Sequence, residues 1–125
     1  MATVFATCNN EGAPDDAVRL ISWAGLANAG DVGDTQSLPA YSEKTFTVTG
    51  TFSGSASCTI QGSNDGANWT TLTNKQGNAL TFTAAGIGTS QDRPLYVRPN
   101  LTAGAGASVT VICAAHKFSL PGSIR

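Results

Sequence analysis

The sequence is poor in charge, in histidine and in long apolar runs, and each shortage narrows what the chain can do. Charged residues make up 12% of the 125, about half the usual share of roughly a quarter. The seven cations (Arg19, Lys44, Lys75, Arg93, Arg98, Lys117 and Arg125) are scattered, and the formal net charge is −1. Without a basic stripe to track a phosphate backbone, nucleic acid is not expected as a direct partner. No segment approaches the ~18 consecutive apolar residues of a membrane-crossing helix, so no membrane is expected either. The opening MATVFATCNNEGAPDD lacks the basic region and apolar core of a secretory signal, which predicts synthesis in a cytoplasm.

Catalytic groups are equally scarce. His116 is the single histidine, so any Ser-His-Asp or Cys-His arrangement would have to use it. It lies past the last predicted strand, beside Lys117, with no nucleophile motif around it, and reads as a surface residue. Asp15–Asp16 and the pair Asp31 and Asp34 fall in polar stretches, where turn and capping roles are the default for carboxylates. An enzyme is not expected, nor is a cofactor. Cys8, Cys58 and Cys113 are an odd number, in a reducing place of synthesis. Cys58 and Cys113 occupy apolar-phase positions of predicted strands, which predicts buried free thiols rather than a bridge.

What is abundant is Thr, with sixteen residues, and Gly, with fourteen. Thr is β-branched and Gly supplies positive φ, so the composition favours strands and tight turns. Ala17 to Leu26, AVRLISWAGL, reads as a first strand with Val18, Leu20 and Ser22 on one face and Arg19, Ile21 and Trp23 on the other. Asn28 to Ser42 reads as a loop. EKTFTVTGTF has the clearest period of two, with Phe46, Val48, Gly50 and Phe52 predicted inward and four Thr outward. SASCTIQG, NWTTLT, NALTFT, PLYVRPNLT and ASVTVICAA follow. Pro94 and Pro99 predict that Leu95 to Arg98 is an edge or a short segment. About seven strands at this spacing predict one all-β domain over 1–125. The expected fold is an antiparallel β-sandwich, immunoglobulin-like or jelly-roll-like, with arms at about 1–16 and 114–125.

GSNDGANWTTL, Gly62 to Leu72, invites two readings. As a ligand loop, Asn64, Asp65 and Asn68 would offer oxygens while Trp69, with Trp23 or Tyr96, stacked on a sugar ring. As a hairpin, Asn64 and Asp65 bond to their own backbone, Gly66 takes the left-handed position, and Trp69 caps the core just beyond. The hairpin accounts for every residue. One carboxylate with no downstream Glu is too little for a calcium loop, and no Cys or His spacing suits zinc, so no metal is expected. The sequons at Asn68 and Asn100 read as chance products of a Thr- and Asn-rich chain.

Taken together, the stretch TFSGSASCTIQGSNDGANWTTLTNKQGNALTFTAAGI with RPLYVRPNLTAG and ASVTVICA resembles small structural proteins of tailed bacteriophages. The resemblance covers about residues 44–114. It implies a β-sandwich of the virion, commonly a head decoration or cement subunit that binds the major capsid protein and copies of itself, as a dimer or trimer, on the capsid surface. Contacts would then be sought in the arms, at Val4, Phe5, Phe118, Leu120, Pro121 and Arg125. A carbohydrate-binding module, or a tail or head-completion component, is the alternative.

Overall fold

The computed structural model describes residues 3–9, 18–37, 43–92 and 94–116. Twelve strand segments form two packed sheets: β1 (Thr3–Val4), β2 (Thr7–Asn9), β3 (Val18–Leu26), β4 (Val32–Gly33), β5 (Gln36–Ser37), β6 (Glu43–Thr51), β7 (Ser57–Ser63), β8 (Thr70–Thr71), β9 (Thr81–Phe82), β10 (Gly86–Thr89), β11 (Tyr96–Ala103) and β12 (Ser108–His116). One sheet runs β10-β6-β12-β3-β2. The other runs β1-β4-β11-β7-β8, with β5 also on β11 and β9 also on β7.

From β3 onward the chain alternates between the sheets, to β4 and β5, back to β6, across to β7, β8 and β9, then β10, β11 and β12 in turn. Only the β4–β5 and β7–β8–β9 stretches stay within one sheet. The strand orders 3-12-6-10 and 4/5-11-7-8 are those of a jelly roll, which selects that alternative over the immunoglobulin arrangement.

The period-two pattern explains the core. Phe46 and Val48 from β6, Ile21 and Trp23 from β3, and Val109, Val111 and Cys113 from β12 point inward and are fully buried. They meet Cys58, Ile60, Val97 and Leu101 of the facing sheet. Burying a side chain of this kind is worth roughly 1.5–3 kcal/mol, so these residues carry most of the fold's stability. Cys58 and Cys113 are free thiols inside it, and burial pushes both up to about 12.

Four expectations are corrected. The stretch 28–42 is not wholly loop, because Val32–Gly33 and Gln36–Ser37 both pair with β11. Consequently Leu95 to Arg98 is no edge: β11 has β7 along one side and β4 and β5 along the other. Pro99 is tolerated there for a positional reason. Leu101 donates its N–H to the Asp31 carbonyl on the β4 side, so Pro99, two residues earlier, turns the same way. It meets the break between β4 and β5, where no donor is needed. His116 is the last residue of β12, opposite Val18 and Glu43, so Ala114 to His116 are strand and not arm. Finally, part of the N-terminal lead-in is strand. Thr3–Val4 lies parallel to β4 in one sheet and Thr7–Asn9 antiparallel to β3 in the other, so this segment steps across the sandwich edge.

Candidate interaction surfaces

The Gly62–Leu72 stretch folds as the hairpin the turn chemistry predicts. The Ser63 hydroxyl donates to Asp65 Oδ1 at 2.9 Å and accepts from the Gly66 N–H at 2.9 Å. Asp65 Oδ1 then accepts the N–H groups of Ala67 and Asn68, each at 2.8 Å, and Oδ2 accepts from Asn68 Nδ2 at 2.7 Å. These bonds, led by the Asn68 and Ala67 amides, hold the Asp65 carboxyl well below the usual carboxylate range. Gly66 sits at φ +76°, a left-handed turn position that suits glycine. Asn64 Oδ1 accepts from the Leu95 N–H at 3.0 Å and ties the hairpin to the start of β11.

The aromatic residues separate. Trp69 does not cap the core: it is half-buried, and the Arg98 guanidinium lies over its ring, 4.1 Å from the centroid. Arg98 Nε also donates to Gln61 Oε1 at 2.9 Å. Gln61 pairs with Arg98 across β7 and β11, between the inward-facing Ile60 and Gly62, which puts this cluster on the outer face. Tyr96 is half-buried beside the hairpin, within 3.9 Å of where a side chain on Gly66 would begin. Trp23 is no stacking residue, since it is fully buried. Its Nε1–H donates to both the main-chain oxygen and Oδ1 of Asp34, at 3.1 and 3.0 Å. That satisfied polar tip is what lets the indole sit in the core, where the alternation of β3 directs it.

Asp34 also holds the N-terminal segment. Its Oδ1 accepts the Ala6 N–H at 3.0 Å, and its own N–H donates to the Val4 carbonyl at 2.8 Å. Val4 and Ala6 therefore turn inward and pack on the core, while Phe5 between them is 77% exposed. Of the residues expected at an interface, Val4 flanks the core and Phe5 stands outside. Phe118, Leu120, Pro121 and Arg125 lie outside the described residues.

Two further surfaces were not foreseen. A cleft of about 610 Å³ opens beside the hairpin, with Leu72 and Pro94 among its apolar residues and Asn64, Asn68, Thr70 and Asp92 among its polar ones. Leu72 and Pro94 close over Gly62, where a side chain would collide with them at about 2.5 Å. The second is the outer face of the five-stranded sheet. Across it runs the row Thr7, Ser22, Ile112, Thr47, Ile87, and beside it Leu20, Ala114, Thr45 and Thr89. No charged side chain interrupts these rows. Glu43, paired with Lys75 at 3.2 Å, and His116 stand at one end of the face. Ile87 is 69% exposed. The signal is present in the sequence as the run of Thr45, Thr47, Thr49 and Thr51 in the outward phase of β6. Only the register showed that the neighbouring strands continue it.

Among the described residues, no group of three or more His, Cys, Asp or Glu converges as a metal site would require. No protein-family model and no curated protein matches the chain. Solved structures do match. The SPBc2 prophage-derived protein YomS has a TM-score of 0.59 at 14% identity, over 78% of this chain and 94% of its own. A cupin protein from Bacteroides fragilis has a TM-score of 0.43 at 15% identity, over 96% of this chain and 80% of its own. A Klebsiella pneumoniae protein with a double-stranded β-helix domain has 0.41 at 17%, over 81% and 69%. At these identities the likeness is one of fold, and what this chain is shown to be similar to is the β-sandwich of a prophage-derived protein.

Proposed function

We propose that this chain is a non-enzymatic structural protein of a bacteriophage particle, a decoration or cement subunit that binds the major capsid protein and copies of itself at the capsid surface. The observation that carries the proposal is the uncharged outer face of the five-stranded sheet. β3, β6 and β12, each nine residues long, with the shorter β2 and β10 at the edges and about 4.8 Å between strands, make a face of roughly 550 Å², about two-thirds of the ~800 Å² that each partner of a stable complex commonly buries. Threonine methyls with Ile112, Ala114 and Ile87 give it apolar area, and their hydroxyls supply hydrogen bonds. The near absence of charge spares a partner the cost of stripping water from ions. The fold likeness to a prophage-derived protein supports the same reading.

The test is quantitative mass spectrometry of purified particles of the phage that encodes this chain. Hundreds of copies per particle are expected. About a dozen or fewer would move the protein to the tail or a head-completion position, and absence from the particle would overturn the proposal. Thr47→Glu, which places a charge in the middle row without touching the core, is expected to abolish incorporation while leaving the fold unchanged by circular dichroism.

A further inference from the structure

The cleft beside the hairpin has no part in the proposed capsid contact, and its chemistry differs from that of the sheet face. Its volume of about 610 Å³ falls within the roughly 300–1,000 Å³ range of small-ligand sites. Most of its polar side chains are fixed by bonds that use only part of their capacity. Asp92 Oδ2 accepts the Thr73 N–H at 2.8 Å and the Thr73 hydroxyl at 3.0 Å. Asn64 is held through Oδ1 by the Leu95 N–H, and Asn68 through Nδ2 by Asp65. Among the described residues, no hydrogen bond engages Asp92 Oδ1, Asn68 Oδ1, Asn64 Nδ2 or the Thr70 hydroxyl. These are two acceptors, an amide donor and a hydroxyl that does either. Asp92, Asn64 and Asn68 are already oriented by these bonds, so a ligand would bear little of the cost of ordering them.

Position adds to this. Thr70 pairs with Gly62 across β7 and β8, and paired residues share a face, so Thr70 lies on the cleft side with buried Leu72 and Pro94. Trp69 belongs to the opposite phase, where Arg98 covers the indole. Recognition here works by hydrogen bonds over an apolar floor, not by aromatic stacking.

We infer that this cleft binds a neutral saccharide. A sugar presents neighbouring hydroxyls that donate and accept at once, matching the mixed set of free atoms. Its ring also has a C–H face suited to Leu72 and Pro94. Asp65 and Asp92 on the wall repel phosphate, uronate or sialate groups, which excludes anionic ligands. This inference stands apart from the capsid proposal, and either can fail without the other.

The experiment is a titration of the ¹⁵N-labelled full chain, followed by amide shifts, with maltotriose, cellotriose, triacetylchitotriose and, as the anionic comparison, N-acetylneuraminic acid. The expected result is saturable shifts at Gly66, Thr70 and Thr73 with at least one neutral trisaccharide and none with the anion. Thr70→Val, isosteric and strand-compatible, is expected to weaken binding about five-fold, the worth of one net hydrogen bond. Thr70→Phe, which fills the cleft, is expected to abolish binding while amides of β6 and β12 keep their positions. The inference is overturned if no trisaccharide shifts these amides at millimolar concentration. It is equally overturned if Thr70→Phe still binds, or if the anion binds as well as the neutral sugars.

Discussion

Replacing Asp34 by Ala tests how the N-terminal segment is held. The carboxylate accepts two bonds through Oδ1, from the Ala6 N–H and the Trp23 indole, each at 3.0 Å. Trp23 keeps its 3.1 Å bond to the main-chain oxygen of residue 34, so the indole stays partnered. The Ala6 N–H does not, and in a half-buried setting it is left without an acceptor. A hydrogen bond to a charged group contributes about 1.5–3 kcal/mol, and an orphaned donor costs a similar amount. We therefore expect Asp34→Ala to lose about 2 kcal/mol, or about 8 °C in Tm for a domain of this length. Native-state hydrogen exchange localises the loss. The amides of Ala6 and Cys8 should exchange by local opening, while those of Val109 and Val111 change only with global stability. Asp34→Asn, which retains an acceptor oxygen, should recover about half of the loss. Unchanged protection at Ala6 together with a Tm within about 1 °C of the parent would refute the clamp.

Two further outcomes follow from the core. Cys58 and Cys113 are buried with thiols pushed from 9.0 to about 12, so iodoacetamide should label exposed Cys8 alone until the chain is unfolded. Because folding raises these pKa values, their stabilising effect is complete below pH 9 and is lost as the pH climbs from about 9 toward 12. The loss is on the order of 1 kcal/mol per thiol by pH 10, and alkaline melts of the double Cys→Ala variant should lack that component. Gly50 has φ +119°, and a side chain there would lie 2.0 Å from the Ser108 carbonyl oxygen. Gly50→Ala should therefore cost about 1–3 kcal/mol by urea denaturation, with the disturbance centred on the ends of β6 and β12.

The parts of this structure that were legible in the sequence are those written in a two-residue period. The period points Phe46, Val48, Val109, Val111 and Cys113 inward, and the jelly roll buries all of them, whereas Gly50 and Phe52 of the same phase lie where β6 runs out of the core and are exposed and half-buried. The same phase places Lys44 inward, where it is almost fully buried, although its charge argued for the surface. Pairing that depends on distant residues was not legible. Nothing local to Val32 or Gln36 reveals that β11 lies beside them, and Pro99 reads as an edge marker because the gap opposite it, between Gly33 and Gln36, lies in a distant part of the chain. The hairpin at Ser63 to Asn68 was legible because its bonds are local. The cleft was not, since Asp92 and Pro94 reach it from another part of the chain. Trp69 and Trp23 depart from expectation for a related reason. What decides the place of an indole is the partner for its tip or face, here Asp34 and Arg98, and neither is a sequence neighbour.

The place of β12 between β3 and β6 also governs when this domain can come into being. Without Ser108–His116 the five-stranded sheet falls into two unconnected pieces, β2 with β3 and β6 with β10. The inner faces of Ile21, Trp23, Phe46 and Val48 then lack the strand that joins them. A ribosome delivers that strand after every other described strand, so the nascent chain waits with its apolar residues uncovered until β12 is released. Closing β3 onto a partner some 90 residues away is slow, because the loop entropy is lost before the pairing is gained. The low charge that suits the finished surface gives little protection during that wait. Aggregation during synthesis, more than unfolding afterwards, is the hazard this topology sets.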